Sequence, residues 1–145
     1  MKILVPLIFV FLFLSCNSWP TNEFLDNPKK LKGVYKLLSL QSQEDTFFLP
    51  MEGVEIIKII TDSQWVSPAY LSKNNKVVNT VGGTYTYKND EMSETIVYHS
   101  KDSASIGLVT NYKIKFLSDT LYQSGIFKKG TSEEWKVEEY WIRVE

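Results

Sequence analysis

Hydrophobic and polar positions alternate in short runs between residues 33 and 144, and clusters of turn-forming residues separate these runs. Alternation with a period of two is typical of β-strands that bury one face, and no segment here has helical periodicity. The pattern predicts strands at 33–41, 54–61, 64–71, 80–88, 92–100, 107–117, 120–128 and 135–144. Eight successive strands predict an all-β fold, an eight-stranded up-and-down antiparallel β-barrel, with a β-sandwich as the alternative.

The pair Asn89-Asp90 predicts a two-residue turn, which sets the register of the strands on either side of it. The resulting cross-strand pairs are Tyr87 with Met92, Tyr85 with Glu94 and Gly83 with Ile96. One face of this hairpin is strongly polar and includes His99, so we expect the other face to point into the barrel. The residues predicted to point inward are Tyr85, Tyr87, Met92, Glu94, Ile96 and Tyr98.

The pair Ser118-Asp119 predicts a second hairpin in the same way. Its predicted cross-strand pairs are Phe116 with Leu121, Ile114 with Gln123 and Tyr112 with Gly125. The residues predicted to point inward are Tyr112, Ile114, Phe116, Leu121, Gln123 and Phe127. Both hairpins therefore predict an interior of tyrosines and aliphatic side chains with isolated polar groups, which a core built only for packing would contain less often.

Glu94 is the predicted interior residue with the most distinctive chemistry. It either orients a ligand inside an apolar cavity, or is held by tyrosine hydroxyls and Arg143 in a filled barrel. Acid catalysis would need a second carboxylate, for which Glu139 is the candidate, but the turns do not set its register. The candidate ligand-binding residues are Glu94, Tyr85, Tyr87, Tyr98, Tyr112, Gln123 and Trp65.

The composition excludes several classes of function. The chain has 16 basic and 17 acidic residues, so nothing favours a nucleic-acid partner. A single cysteine and a single histidine leave no disulfide framework and no cysteine-based metal site. We find no phosphate-binding glycine loop, zinc-protease motif or nucleophile elbow. We therefore predict no metal, no cofactor and no enzymatic activity, with carboxylate-based hydrolysis as the alternative.

The N-terminus has the organisation of a secretory signal. A short positive start with Lys2 precedes an apolar run over 3–14, and Ser15 then precedes Cys16. The run is too short to cross a bilayer easily, and its end resembles a bacterial lipobox. The alternative is an ordinary cleaved signal that leaves a free thiol. We expect a lipoprotein signal peptide over 1–15, a lipidated tether over 16–32, and the barrel over 33–145, anchored to the outer membrane of a bacterial envelope.

Several motifs, in their order along the chain, resemble those of lipocalin-like proteins. The run that begins Gly33-Val34-Tyr35 resembles the Gly-x-Trp first strand of calycins, with tyrosine in place of tryptophan. The segments 59–65, 82–86, 119–122, 134–135 and 141–143 are similar to those of uncharacterised lipocalin-like secreted proteins of Gram-negative bacteria. The resemblance implies that Arg143 packs over Tyr35 and closes one end of the barrel.

The resemblance also implies a function. A small, mostly apolar molecule would bind inside the barrel, and the lipid on Cys16 would be the contact with the membrane. The alternative is an interaction module with a barrel filled by side chains, which would act in an envelope complex through its outer face or loops. The sequence predicts no particular oligomeric state.

Overall fold

The computed structural model describes residues 31–42, 47–48 and 52–145. The predicted signal peptide over 1–15, the lipidation site Cys16 and nearly all of the tether lie outside the described residues. In the part of the chain that is described, no helix is long and apolar enough to cross a membrane.

Strands make up most of the described chain. They are β1 (Gly33–Ser42), β2 (Phe47–Phe48), β3 (Val54–Ile60), β4 (Gln64–Leu71), β5 (Lys76–Lys88), β6 (Glu91–His99), β7 (Val109–Leu117), β8 (Thr120–Phe127) and β9 (Trp135–Arg143), with one turn of 3-10 helix at Ser103–Ser105. The predicted strands match eight of these, and only the two-residue β2 was not predicted.

The strands form a closed antiparallel barrel. Each strand from β3 to β8 pairs with the next, β1 pairs with β3, and a further pairing of β1 with β9 closes the ring. The short strand β2 lies beside β1 and is not part of this ring. The prediction of an eight-stranded up-and-down barrel is therefore confirmed, and the β-sandwich alternative is wrong, because a sandwich would leave the sheet edges open.

Both predicted hairpin registers are confirmed. Tyr87 pairs with Met92 and Tyr85 with Glu94 across the first turn, and all three predicted pairs of the second hairpin are present. Asn89 and Asp90 have φ angles of 53° and 58°, the left-handed values that a two-residue turn of this type requires. The local turn chemistry therefore set the register correctly.

A β-bulge overturns one part of the first hairpin. Gly83 pairs with Ile96 and Gly82 with Tyr98, so Val97 is an extra residue on β6 and the alternation reverses beyond it. Tyr98 was predicted to point inward, but 53% of it is exposed, and the histidine next to it turns inward instead. Glycine is needed at this bulge, because a Cβ on Gly83 would lie 1.8 Å from the backbone oxygen of Thr95.

The two ends of the barrel differ in their interior. The connections at 61–63, 89–90 and 118–119 lie at one end, which we call the closed end, and those at 72–75, 100–108 and 128–134 lie at the other, the open end. Buried apolar side chains fill the closed end. They are Leu31, Tyr35, Ile60, Tyr85, Met92, Ile114 and Leu121.

Candidate functional site

A cavity of about 210 Å³ occupies the barrel from its middle to its open end. Most of its wall is apolar or aromatic. These residues are Leu37, Leu40, Ile56, Trp65, Val81, Ile96, Tyr112, Phe127, Trp135, Val137 and Trp141. A smaller polar set completes the wall, and consists of Lys58, Ser67, Glu94, His99, Thr110, Gln123 and Glu139. A concave, mostly apolar site with a few polar groups is the usual form of a small-molecule site.

Lys58 on β3 is the central charge of the cavity wall. Its ammonium group forms an ion pair with the Glu94 carboxylate, and only 3% and 5% of the two side chains are exposed. Lys58 Nζ also donates a hydrogen bond of 3.1 Å to Gln123 Oε1. Such additional hydrogen bonds help to offset the unfavourable desolvation of the two charges in a buried ion pair.

Three aromatic rings surround the same ammonium group. Lys58 Nζ lies 5.1 Å from the ring centroid of Trp65, 5.6 Å from that of Trp141 and 5.7 Å from that of Tyr112. These distances are within the range of a cation–π interaction, which is stronger in a desolvated site. The ammonium group of Lys58 therefore lies in an aromatic cage.

Glu139 on β9 is the second carboxylate of the cavity. It lies opposite Gln123 across the β8–β9 ladder. Its Oε2 accepts hydrogen bonds from Gln123 Nε2 at 2.5 Å and from Trp141 Nε1 at 2.8 Å. Burial raises the pKa of Glu139 above its ordinary value; the Lys58 ammonium opposes this rise and the Glu94 carboxylate adds to it.

Burial also raises the pKa of Tyr112 well above its ordinary value, and the carboxylates of Glu94 and Glu139 raise it further. The Tyr112 hydroxyl is therefore neutral at physiological pH. Trp65 contributes an indole N–H that is buried and has no hydrogen-bond partner among the described residues. Such a donor is uncommon in a protein interior, and it lies in the wall of the cavity.

His99 lies in the cavity wall because of the bulge, although the sequence placed it on the solvent face. Its Nδ1 accepts hydrogen bonds from the backbone N–H groups of Asp102 at 2.9 Å and of Lys101 at 3.2 Å. The neutral ring therefore carries its proton on Nε2. The Ser105 hydroxyl donates to Asp102 and not to this histidine, so these residues shape the 100–108 connection.

The structure brings four of the seven predicted binding residues together: Glu94, Tyr112, Gln123 and Trp65 all line the cavity. The other three, Tyr85, Tyr87 and Tyr98, do not. The Tyr85 hydroxyl donates to the Thr61 carbonyl at 2.7 Å at the closed end, and the Tyr87 hydroxyl donates to Asp90.

Glu94 was predicted either to orient a ligand or to be held by tyrosine hydroxyls and Arg143. The second of these arrangements is not present, because the ion-pair partner of Glu94 among the described residues is Lys58. The sequence reasoning missed Lys58 and left the orientation of Glu139 open. The inward orientation of Lys58 follows from its cross-strand pairing with the inward-facing Tyr35. The sequence did not reveal this orientation, because it does not set the register between β1 and β3.

Arg143 and Tyr35 make the contact that the family resemblance implied. The guanidinium carbon of Arg143 lies 5.1 Å from the Tyr35 ring centroid, and Arg143 Nη2 donates a hydrogen bond of 2.7 Å to the Tyr35 hydroxyl. That hydroxyl donates in turn to the Leu31 carbonyl at 2.9 Å. Burial raises the pKa of Tyr35, while the positive charge of Arg143 acts against this rise.

Among the described residues, no three His, Cys, Asp or Glu side chains are grouped so that they could hold a metal ion. The wall of the cavity supplies charge, hydrogen bonds and aromatic surface, and these are properties suited to holding an organic molecule.

Comparison with solved structures identifies the fold. A lipocalin-like protein from Bacteroides uniformis is similar over 78% of this chain and 97% of its own, with 16% identity and a TM-score of 0.51. An uncharacterised protein from Bacteroides eggerthii is similar over 77% of this chain and 98% of its own, with 12% identity and a TM-score of 0.50. No family model and no curated protein matches the sequence. The predicted resemblance to lipocalin-like proteins is therefore confirmed for the fold.

Proposed function

We propose that this protein binds a small, mostly apolar molecule in the cavity of its barrel, without converting it chemically. The cavity of about 210 Å³ at the open end is the observation that carries this proposal. An eight-stranded barrel is just wide enough to be filled by its side chains or to hold one small ligand. A cavity of this size supports the binding function over the interaction module with a filled barrel.

The cavity volume limits the size of the ligand. An apolar cavity of about 150 Å³ is enough to hold benzene, so we expect a ligand of one or two rings or a short branched chain. Binding would be driven by removal of its apolar surface from water, at about 25 cal/mol per Å². The polar groups of the wall would set its orientation, because each buried polar group favours a matching partner.

The binding proposal can be tested by filling the cavity. Val137 is fully buried and lines the cavity, whereas Val97 is 58% exposed on β6. In calorimetric titrations with indole, we expect Val137→Phe to weaken binding about tenfold or more, because the larger side chain takes up free volume. Val97→Phe is the matched control and should bind indole as the unmodified protein does.

Thermal melts of both variants show whether each is folded. The binding proposal is wrong if the unmodified protein binds neither indole nor naphthalene, or if Val137→Phe binds indole as tightly as the control does. Organic extraction of the protein purified from its membrane fraction, followed by mass spectrometry, is the complementary search for the natural ligand.

The second part of the proposal is that a lipid on Cys16 anchors the barrel to the bacterial cell envelope. The apolar run over 3–14, Ser15 and Cys16 are its support, and all of it comes from the sequence. Several acyl chains give stable anchoring where a single chain is marginal. Metabolic labelling with an alkyne fatty acid should mark the unmodified protein but not Cys16→Ala, and labelling of the variant would contradict the anchor.

A further inference from the structure

Among the described residues, the cavity wall has one more carboxylate than it has ammonium groups. Lys58 is paired with Glu94, and Glu139 lines the same cavity but forms no ion pair within that part of the chain. We propose that the cavity selects its ligand by the charge of the head group: it accepts an amine, whose ammonium group binds Glu139, and rejects a carboxylate. This inference rests on the proposed binding function.

Among the described residues of the cavity wall, Lys58 is the only lysine or arginine that an anionic ligand could use, and it is already paired. Its Nζ contacts the Glu94 carboxylate and Gln123 Oε1, and three rings surround it at 5.1–5.7 Å. A ligand carboxylate would have to displace Glu94, which would leave a buried carboxylate without its partner. The ligand would also bring a further negative charge close to Glu139.

Glu139 is the group that a cationic ligand would meet. Its Oε2 accepts both hydrogen bonds that the carboxylate receives, from Gln123 and Trp141, and the described residues offer its Oε1 none. A carboxylate has room for about four hydrogen bonds, so it retains acceptor capacity toward the cavity. Hydrogen bonds between ions of opposite charge are about twice as strong as those between neutral groups.

The aromatic wall favours a cation as well. The rings of Trp65, Tyr112 and Trp141 already stabilise one ammonium group in this cavity, which shows that the wall offers the negative faces of its rings to positive charge. Charge and ring geometry therefore favour the same class of ligand.

The test compares three compounds that share a phenyl ring and a two-carbon unit: phenethylamine, phenethyl alcohol and phenylacetate. Each has about ten non-hydrogen atoms, a size that suits the cavity. Calorimetry at neutral pH on the full-length protein should give the affinity order amine, alcohol, acid. We expect about a tenfold or greater difference between amine and acid, the size of effect expected from one charge-assisted hydrogen bond.

Two variants on β9 identify the group responsible. Glu139→Gln keeps the shape and the hydrogen-bond acceptor but removes the charge, and should lower phenethylamine affinity about tenfold with little effect on the alcohol. Glu138→Gln is the matched control: the neighbouring carboxylate pairs with Lys136 and is not part of the cavity wall. It should leave all three affinities unchanged.

The outcomes separate the two proposals. Binding of all three compounds with phenylacetate equal or best would overturn head-group selection and leave ligand binding intact. So would a Glu139→Gln protein that still prefers the amine. Failure of the unmodified protein to bind any of the three, or indole, would overturn the binding function and this inference together. The affinity order in the unmodified protein decides the matter even if the variant does not fold.

Discussion

The closed and open halves of the barrel use buried polar groups in opposite ways. At the closed end, the hydroxyl of the buried Tyr35 is bonded to the Leu31 carbonyl and to Arg143, whose side chain is exposed to solvent. In the open half, Lys58 and Glu94 are both buried as ions, and Glu139 lies beside them. The closed half leaves its charged group exposed to water, whereas the open half buries its charged groups.

This difference separates residues that stabilise the fold from residues that prepare a site. A buried ion pair is often no more stabilising than apolar side chains of the same size, so stability alone is a weak reason for Lys58 and Glu94. Local departures from the rules of good packing concentrate at functional sites. The open half, with its cavity and its unequal charges, fits that description, and the closed half does not.

The comparison predicts its largest effect for Lys58→Met. The loss of the ammonium group leaves Glu94 and Glu139 in the cavity without a cation, so we expect a loss of about 3–5 kcal/mol in the free energy of unfolding. The double variant Lys58→Met/Glu94→Leu should recover most of this loss, because it removes both buried charges. Urea denaturation of the two proteins measures the difference.

The exposed ion pair between Lys36 and Glu55 is the matched control for this prediction. Its Nζ and Oε2 atoms are 2.7 Å apart, but both side chains are substantially exposed. Lys36→Met should therefore lose only a small fraction of the stability that Lys58→Met loses, since water already solvates both ions. If the double variant were as unstable as Lys58→Met, the pair would be structural and the contrast between the two halves would fail.

A smaller effect is expected at the closed end for Arg143→Ala. This change removes the hydrogen bond and the cation–π contact to Tyr35, but the tyrosine keeps its bond to Leu31. We expect a loss of about 1 kcal/mol, or a fall of about 4 °C in Tm, with unchanged affinity for indole. Thermal melts and calorimetry measure the two quantities. An unchanged Tm would refute the stabilising role, and weaker indole binding would link this end to the site.

The strand order and the hairpin registers could be predicted because they depend on local chemistry. Asn89-Asp90 and Ser118-Asp119 determine which residues face each other within a few positions of the turn. The bulge at Val97 could not be predicted in this way, because Gly82 and Gly83 are compatible with regular pairing as well. As a result, the predicted orientations of Tyr98 and His99 were both wrong.

The cavity charges were harder to predict because they depend on contacts between distant segments. Lys58 lies in a strand with isoleucines on both faces, so the alternation pattern does not show which face is inside. Its partners on β6 and β8 are 36 and 65 residues away in sequence, and only the closed barrel brings them together. A sequence can indicate that Glu94 is buried without indicating which cation accompanies it.

The smallest predicted effect concerns two carboxyls whose pKa values are shifted in opposite directions. Burial raises the pKa of Glu139 above its ordinary value of 4.5, whereas a hydrogen bond from Ser105 is the main cause that lowers the pKa of Asp102 below 3.8. A carboxyl group whose pKa is raised in the folded state contributes stability that is fully present at pH values below 4.5. This contribution is lost as the pH rises through the folded-state pKa. A carboxyl group whose pKa is lowered in the folded state contributes stability that is fully present at pH values above 3.8. This contribution is lost as the pH falls through the folded-state pKa.

The two matching amide variants should therefore show opposite pH dependences. Glu139→Gln should gain stability over the unmodified protein as the pH rises from about 4 to about 7, because only the unmodified protein must ionise a carboxyl in the cavity wall. Asp102→Asn should be less stable at neutral pH, and its deficit should shrink as the pH falls below about 4. Urea denaturation over this range measures both. If Glu139→Gln were the less stable protein at neutral pH, the ionised carboxylate would be stabilising, and the open half would differ from the closed half only in its packing.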